Sequence, residues 1–197
     1  MYPVFLNLTG RRVVVVGGGP VAASKLAGLL AEGARVTVVA PEISPECERA
    51  GVTLLRRPFA EADLEGAWWV VAAAPPAVNR QVCEAAERRC LYVNAVDDPR
   101  HATAYLGGVV RRDGVTVAIS TDGRAPALAG LMREAIDASL PHDLARWMTV
   151  ADEERRRWKR DGVPMAHRRP QLLDTLNRLY ERAGTGSNPG PAGPGEE

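Results

Sequence analysis

The apolar positions of this chain fall into short continuous runs, separated by turn residues and by stretches with helical spacing. Four consecutive valines, Val13 to Val16, lead into Gly17, Gly18 and Gly19. A helical stretch follows, and a second valine-rich run covers Arg35 to Val39. Thr53 to Arg57 reads as a third short strand and Trp68 to Ala73 as a fourth. Pro76 to Arg89 carries Val78, Val82 and Ala86 at helical spacing, and Leu91 to Val96 reads as a fifth strand. Strands that are apolar on both faces and alternate with helices predict a parallel sheet covered on both sides.

After Asp97 the rhythm changes. Thr103 to Leu106, Val109 to Arg112 and Val115 to Ser120 read as short strands, with Arg112-Asp113-Gly114 supplying a hairpin turn. A helix is expected from Pro126 to about Ala138, ended by Pro141. Two more are expected over 142–160 and 170–182. The last residues, GTGSNPGPAGPGEE, have the composition of a disordered tail. The expected organisation is a nucleotide-binding domain over 1–113, a small α+β piece over 114–141, a helical piece over 142–183 and the tail over 184–197. Neither added piece is long enough to bury much core alone, so a homodimer is expected, with the α+β piece as its dimerisation domain.

The glycine turn carries the chemistry. It leaves a strand and opens a helix, which is the context that a dinucleotide-binding fingerprint requires. Gly17 permits the tight turn and Gly19 lets the backbone approach a pyrophosphate. Ala22, at the third fingerprint position, is small enough for helix to pack on strand. Pro20 and Val21 begin the helix; the missing N–H of Pro20 costs nothing there. The remaining free N–H groups and the positive dipole end face the phosphates. The acid that usually holds the adenosine ribose has no counterpart at the end of the second strand, which runs Val38-Val39-Ala40-Pro41. The nearest acid is Glu42, and no arginine stands there to receive a 2′-phosphate. Pro41 and Glu42 are therefore the expected ribose contacts, and NAD is favoured over NADP. The fold class expected is α/β, a Rossmann-type doubly wound parallel sheet followed by the α+β dimerisation domain and the helical domain.

Composition narrows the classes further. The chain has 197 residues and a formal charge of +1, a balance that argues against a dedicated nucleic-acid binder. It holds no apolar run long enough to span a membrane, and its first residues, MYPVFLNLTG, lack the pattern of a signal peptide. Cys47, Cys83 and Cys90 form no metal-binding spacing and cannot all pair, which suits reduced thiols in a cytoplasm. His101, His142 and His167 show no ligand spacing, so no resident metal is expected.

Four segments, taken together, resemble one family. They are YPVFLNLTGRRVVVVGGGPVAASK, GARVTVVAPE, LYVNAVDDP and AISTDGRAPALAGLMREAID, in that order and spacing. The chain over roughly 1–182 looks like the precorrin-2 dehydrogenase and sirohydrochlorin ferrochelatase family of sirohaem synthesis, including the N-terminal half of multifunctional sirohaem synthases. The resemblance implies oxidation of precorrin-2 to sirohydrochlorin with hydride passing to NAD, and in some members insertion of Fe2+ as a further substrate. It implies that Asp97, in Asn94-Ala95-Val96-Asp97, is the catalytic acid-base group. That placement agrees with a site past the C-terminal end of a parallel strand. A carboxylate is a suitable acceptor for the proton lost alongside hydride, and neighbouring Asp98 would raise its pKa by repulsion. The turn Ser120-Thr121-Asp122-Gly123 matches a second family site, with Thr121 beside the tetrapyrrole. The chain departs from the family at Ala74-Pro75, Ala104, Gly107 and Ala125-Pro126, and retains Asn79.

A polycarboxylate substrate calls for a cationic cleft. Arg111 and Arg124 lie in segments adjoining the expected site and are its expected carboxylate contacts. A second cluster, Arg155 to Arg157 with Lys159 and Arg160, more often marks a solvated helix face. The alternatives are a bifunctional dehydrogenase and ferrochelatase, or a non-catalytic sensor binding tetrapyrrole or dinucleotide. A short-chain oxidoreductase lacks support, since no Tyr-x-x-x-Lys pair is present.

Overall fold

The computed structural model describes residues 1–96 and 98–184, with side chains through residue 180. Asp97 and the Gly/Pro-rich residues from 185 lie outside the described residues. The described part divides into two compact units. One comprises Met1–Gly107 with Ser120–Pro126, the other Gly108–Ile119 with the residues from Ala127 on.

The first unit is built on five parallel strands, β1 (Arg12–Val16), β2 (Arg35–Val39), β3 (Thr53–Leu55), β4 (Trp69–Ala72) and β5 (Tyr92–Ala95), in the order β3-β2-β1-β4-β5. Order reverses at β1, between its partners β2 and β4: Val14 stands beside Thr37 on one side and Val70 on the other. Alternation along β1 divides its valines. Val13 and Val15 pack with Ala22, Leu26 and Leu29 of helix α1 (Pro20–Ala31). Val14 and Val16 pack with Val82, Cys83 and Ala86 of α3 (Pro76–Glu87). Both faces are thus covered, which is why the strands read as unbroken apolar runs.

Two elements escape the hydrophobic pattern. Helix α2 (Pro45–Arg49) is a single short segment started by Ser44, whose hydroxyl accepts from the Cys47 N–H, with Pro45 at its first position. A 3-10 turn covers Glu61–Leu64. The third strand is also shorter than expected, stopping at Leu55. Thr103 to Leu106 is not a strand. Instead the N–H groups of Thr103 and Ala104 both donate to the Val93 carbonyl at 2.9 Å, and the Thr103 hydroxyl accepts from the Val93 N–H at 2.8 Å. This segment shields the outer edge of β5, which would otherwise present unpaired backbone groups.

The chain between β3 and the 3-10 turn is braced by Asp63. Its carboxylate takes both ends of the Arg57 guanidinium, one at 2.8 Å, and accepts from the Ala60 N–H at 2.8 Å. Asp63 is buried. The Arg57 bond, chiefly, holds its carboxyl below the ordinary carboxylate range. A lowered folded-state pKa means that this stabilisation is complete above the unfolded value, near pH 4, and is lost as pH falls through the folded one. Asp63→Ala should therefore cost about 2 kcal/mol at pH 7, because it strands the Ala60 N–H and removes a charged hydrogen bond whose partner is half-exposed. Urea unfolding at pH 7 and again below pH 4 checks it, with the gap between native and variant closing in acid.

In the second unit β6 (Gly108–Arg112) pairs antiparallel with β7 (Val115–Ile119) through the expected turn, and Asp113 and Gly114 both adopt positive φ, as a two-residue hairpin requires. The pairing runs from Gly108–Ile119 to Arg112–Val115, so a boundary at 113 would cut the hairpin. The observed division falls before Gly108 because these strands satisfy each other's backbone groups. Gly108 lies against α4 (Pro126–Ser139): a Cβ there would stand 3.0 Å from the Ala129 carbonyl oxygen. Arg112 joins strand to helix through Asp137 at 2.6 Å and the Leu140 carbonyl at 3.3 Å.

Helices α5 (Leu144–Arg160) and α6 (Met165–Gly184) are joined by two indole donors: Trp158 to Gln171 and Trp147 to the Tyr180 hydroxyl, each at 2.8 Å. The Tyr180 hydroxyl in turn donates to Asp143. Helix α6 begins before Pro170 rather than at it, with Pro170 carried inside the helix.

Candidate functional site: a glycine cradle at the switch point

At the C-terminal ends of β1, β2 and β4 lies a cavity of about 720 Å³. Its floor is the glycine turn, Gly17 to Gly19. Gly17 has φ +126°, a region that L side chains avoid, and a Cβ there would lie 2.2 Å from the Ala73 carbonyl oxygen. A Cβ on Gly18 would meet the Glu42 carbonyl oxygen at the same distance, and the Ser44 N–H donates to the Gly18 carbonyl at 2.8 Å. The turn is therefore pressed between the segments that follow β4 and β2. Gly19 differs: nothing lies within 4 Å of its Cβ direction. It is the N-cap of α1, and Pro20 occupies the first turn as expected. This is a cradle for a phosphate group at a helix N-terminus, set where the strand order reverses.

Pro41, Glu42, Ile43 and Ser44 form one wall of the cavity, and Pro58 and Phe59 another. The Asp63 brace holds the chain that carries these last two. Among the described residues, Glu42 is the one charged side chain lining it. Where the family pattern is lost at Ala74-Pro75, a buried side chain supplies the fixing: Asn79 of α3 accepts from the Ala74 N–H through Oδ1 at 2.9 Å.

A smaller cavity of about 220 Å³ continues from Ala73 and Ala74 toward the end of β5, where Val21, Asn79, Val96 and Asp98 line it. Asp98 is held by His101, Nδ1 to Oδ2 at 2.8 Å. That bond is the main reason its carboxyl titrates below the ordinary range.

The sequence-derived residues thus meet in part. Gly17, Gly19, Pro41 and Glu42 line the large cavity, Val21 the small one, and Pro20 starts the helix between them. Thr121 and Arg124 belong to the same unit, where the Thr121 hydroxyl accepts from the Ala125 N–H at 3.3 Å and its carbonyl from the Arg124 N–H at 3.0 Å. Arg111 lies on β6, in the other unit. Asp97 lies outside the described residues. Gly18, Ile43, Ser44 and Phe59 entered no sequence expectation. Gly18 was legible in the triple glycine; Phe59, far along the chain in a loop, carried no signal.

A parallel sheet with a glycine cradle at its switch point defines a dinucleotide-binding α/β protein. The chain belongs to the family described as "Putative NAD(P)-binding", which matches residues 4–108. Siroheme synthase 1 of Aeromonas hydrophila subsp. hydrophila is 39% identical over 172 residues, covering 85% of this chain and 37% of that protein. The siroheme synthase of Photorhabdus laumondii is 40% identical over 183 residues, covering 90% and 39%. The chain thus spans less than two fifths of the length of these relatives. Among solved structures, SirC, a precorrin-2 dehydrogenase, superposes with a TM-score of 0.72 at 29% identity, over 91% of both chains.

Proposed function

We propose that this protein is an NAD-dependent precorrin-2 dehydrogenase, oxidising precorrin-2 to sirohydrochlorin in sirohaem biosynthesis. The observation that carries this reading is the glycine cradle, on a chain that matches a precorrin-2 dehydrogenase over nearly its full length. The cavity residues fit the cofactor: Gly17 and Gly18 have no room for a Cβ, Gly19 leaves its side open, and Glu42 opposes a 2′-phosphate by charge repulsion. NAD, when bound, supplies the hydride acceptor. The cradle N–H groups hold its pyrophosphate, and Pro41 and Glu42 flank its adenosine end. Asp97, directly after the Val96 that lines the small cavity, accepts the proton released with the hydride. Thr121, Arg111 and Arg124, none of which lines either cavity, are the proposed substrate contacts.

The same reading takes the protein as a homodimer in a reducing compartment, the cytoplasm. Its described cysteines, Cys47, Cys83 and Cys90, are all unpaired thiols. No described helix is long and apolar enough to cross a membrane. Fe2+ is a further substrate if the protein also inserts the metal.

Anaerobic turnover of precorrin-2 with NAD, followed by absorbance, tests the proposal. NAD-dependent formation of sirohydrochlorin with matching NADH is expected, and Fe2+ added to the same cuvette reads metal insertion. Binding of dinucleotide or tetrapyrrole without turnover would replace this reading with a sensor, which the loss of polar groups at Ala74-Pro75 would then explain.

A further inference from the structure

The two cavities share Ala73 and Ala74 as walls. A dinucleotide whose pyrophosphate lies on the glycine cradle and whose adenosine end lies by Glu42 has its other end directed along these walls, toward β5. There, among the described residues, the one charged side chain lining the small cavity is Asp98. No basic side chain lines either cavity among the described residues. The Asp98 carboxylate is not free to turn away. His101 holds Oδ2, and the backbone N–H groups of His101 and Arg100 also favour its ionised form. It is anionic throughout the neutral range.

The nicotinamide ring is a cation when oxidised and neutral when reduced. A fixed carboxylate near it therefore stabilises one form and leaves the other almost unaffected. We propose that Asp98 discriminates between the redox states of the cofactor, favouring NAD+ over NADH in this cavity and so promoting release of the reduced product. His101 is the positioning residue that keeps the carboxylate turned to its place. The inference rests on the dinucleotide reading of the glycine cradle and assigns the redox preference to a single side chain.

Affinities of the full-length protein for NAD+ and NADH, measured by calorimetry without tetrapyrrole, test it. Asp98→Asn should weaken NAD+ by about fivefold and leave NADH within about twofold, since the pair is partly solvent-screened. Asp98→Glu, which keeps the charge, should restore most of the NAD+ preference. Raising the salt concentration should shrink the preference of the native protein, because the Asp98 side chain is 28% exposed. Thermal melts establish that each variant is folded. Equal weakening of both nucleotides by Asp98→Asn would make Asp98 a structural residue of the loop and overturn the proposal, as would no change in either. A native protein that binds neither nucleotide would overturn the dinucleotide reading itself. That outcome is distinct from a native protein that binds both and responds equally to the substitution.

Discussion

Gly17→Ala should abolish measurable NAD binding and destabilise the fold by about 3 kcal/mol, the sum of a strained positive φ and a steric displacement. The structure leaves this substitution no escape. At φ +126° a side chain is already unfavourable, and the new methyl would stand 2.2 Å from the Ala73 carbonyl oxygen. That oxygen cannot retreat freely, because the Ala73 N–H is bonded to the Val16 carbonyl and the next N–H, of Ala74, to Asn79. The displacement would reach both cavities, which share this segment as a wall. Gly19→Ala is the control. Its Cβ meets nothing within 4 Å and its backbone is extended, so stability should change by less than about 0.5 kcal/mol. Dinucleotide affinity should still fall, since the methyl stands where the phosphates must approach. Urea melts and calorimetric titration of both variants separate the two effects. Equal stability of Gly17→Ala and Gly19→Ala would show that the cradle is softer than its contacts imply.

Asp97→Ala should lower anaerobic turnover of precorrin-2 by about 10²- to 10⁴-fold, the range for loss of a positioned acid-base group, while NAD affinity stays within about twofold. The expectation comes from the family resemblance, and the placement of the residues on either side agrees with it. Asn94, on the buried end of β5, donates through Nδ2 to the Ala104 carbonyl at 3.0 Å, and the Val96 N–H donates to the Ala72 carbonyl at 2.9 Å. The chain is thus fixed up to Val96, on the wall of the small cavity, and Asp98 lines the same cavity one residue beyond Asp97. Full turnover by Asp97→Ala would move the proton acceptor elsewhere and leave the cofactor site untouched.

Some of this was legible in the residue order because it is local. Whether a stretch is strand or helix follows from the spacing of its own apolar side chains, and a triple glycine between a valine run and a proline needs no distant partner to be read as a phosphate-binding turn. Strand β1, the cradle, α1 and β2 were legible for that reason, and so was the Asp113-Gly114 hairpin turn. Helix α2 was missed although Ser44-Pro45 is a sound start, because a single turn shows no periodicity. Thr103 to Leu106 looked like a strand because its composition suits one. What decided otherwise was the edge of β5, which needed covering.

The class of this protein, an α/β dinucleotide binder, and the family it resembles are both written in short contiguous patterns of residues. The order β3-β2-β1-β4-β5, the pressing of Gly17 on Ala73 and of Gly18 on Glu42, the wall that Phe59 contributes and the hold of His101 on Asp98 emerge only once the chain is packed. Most of these join residues far apart in the chain, and even the Asp98 hold gains its meaning from the cavity it faces. Such contacts depend on which ends of the strands the packing of α1 and α3 brings to one edge of the sheet, and no periodicity within a single segment encodes that.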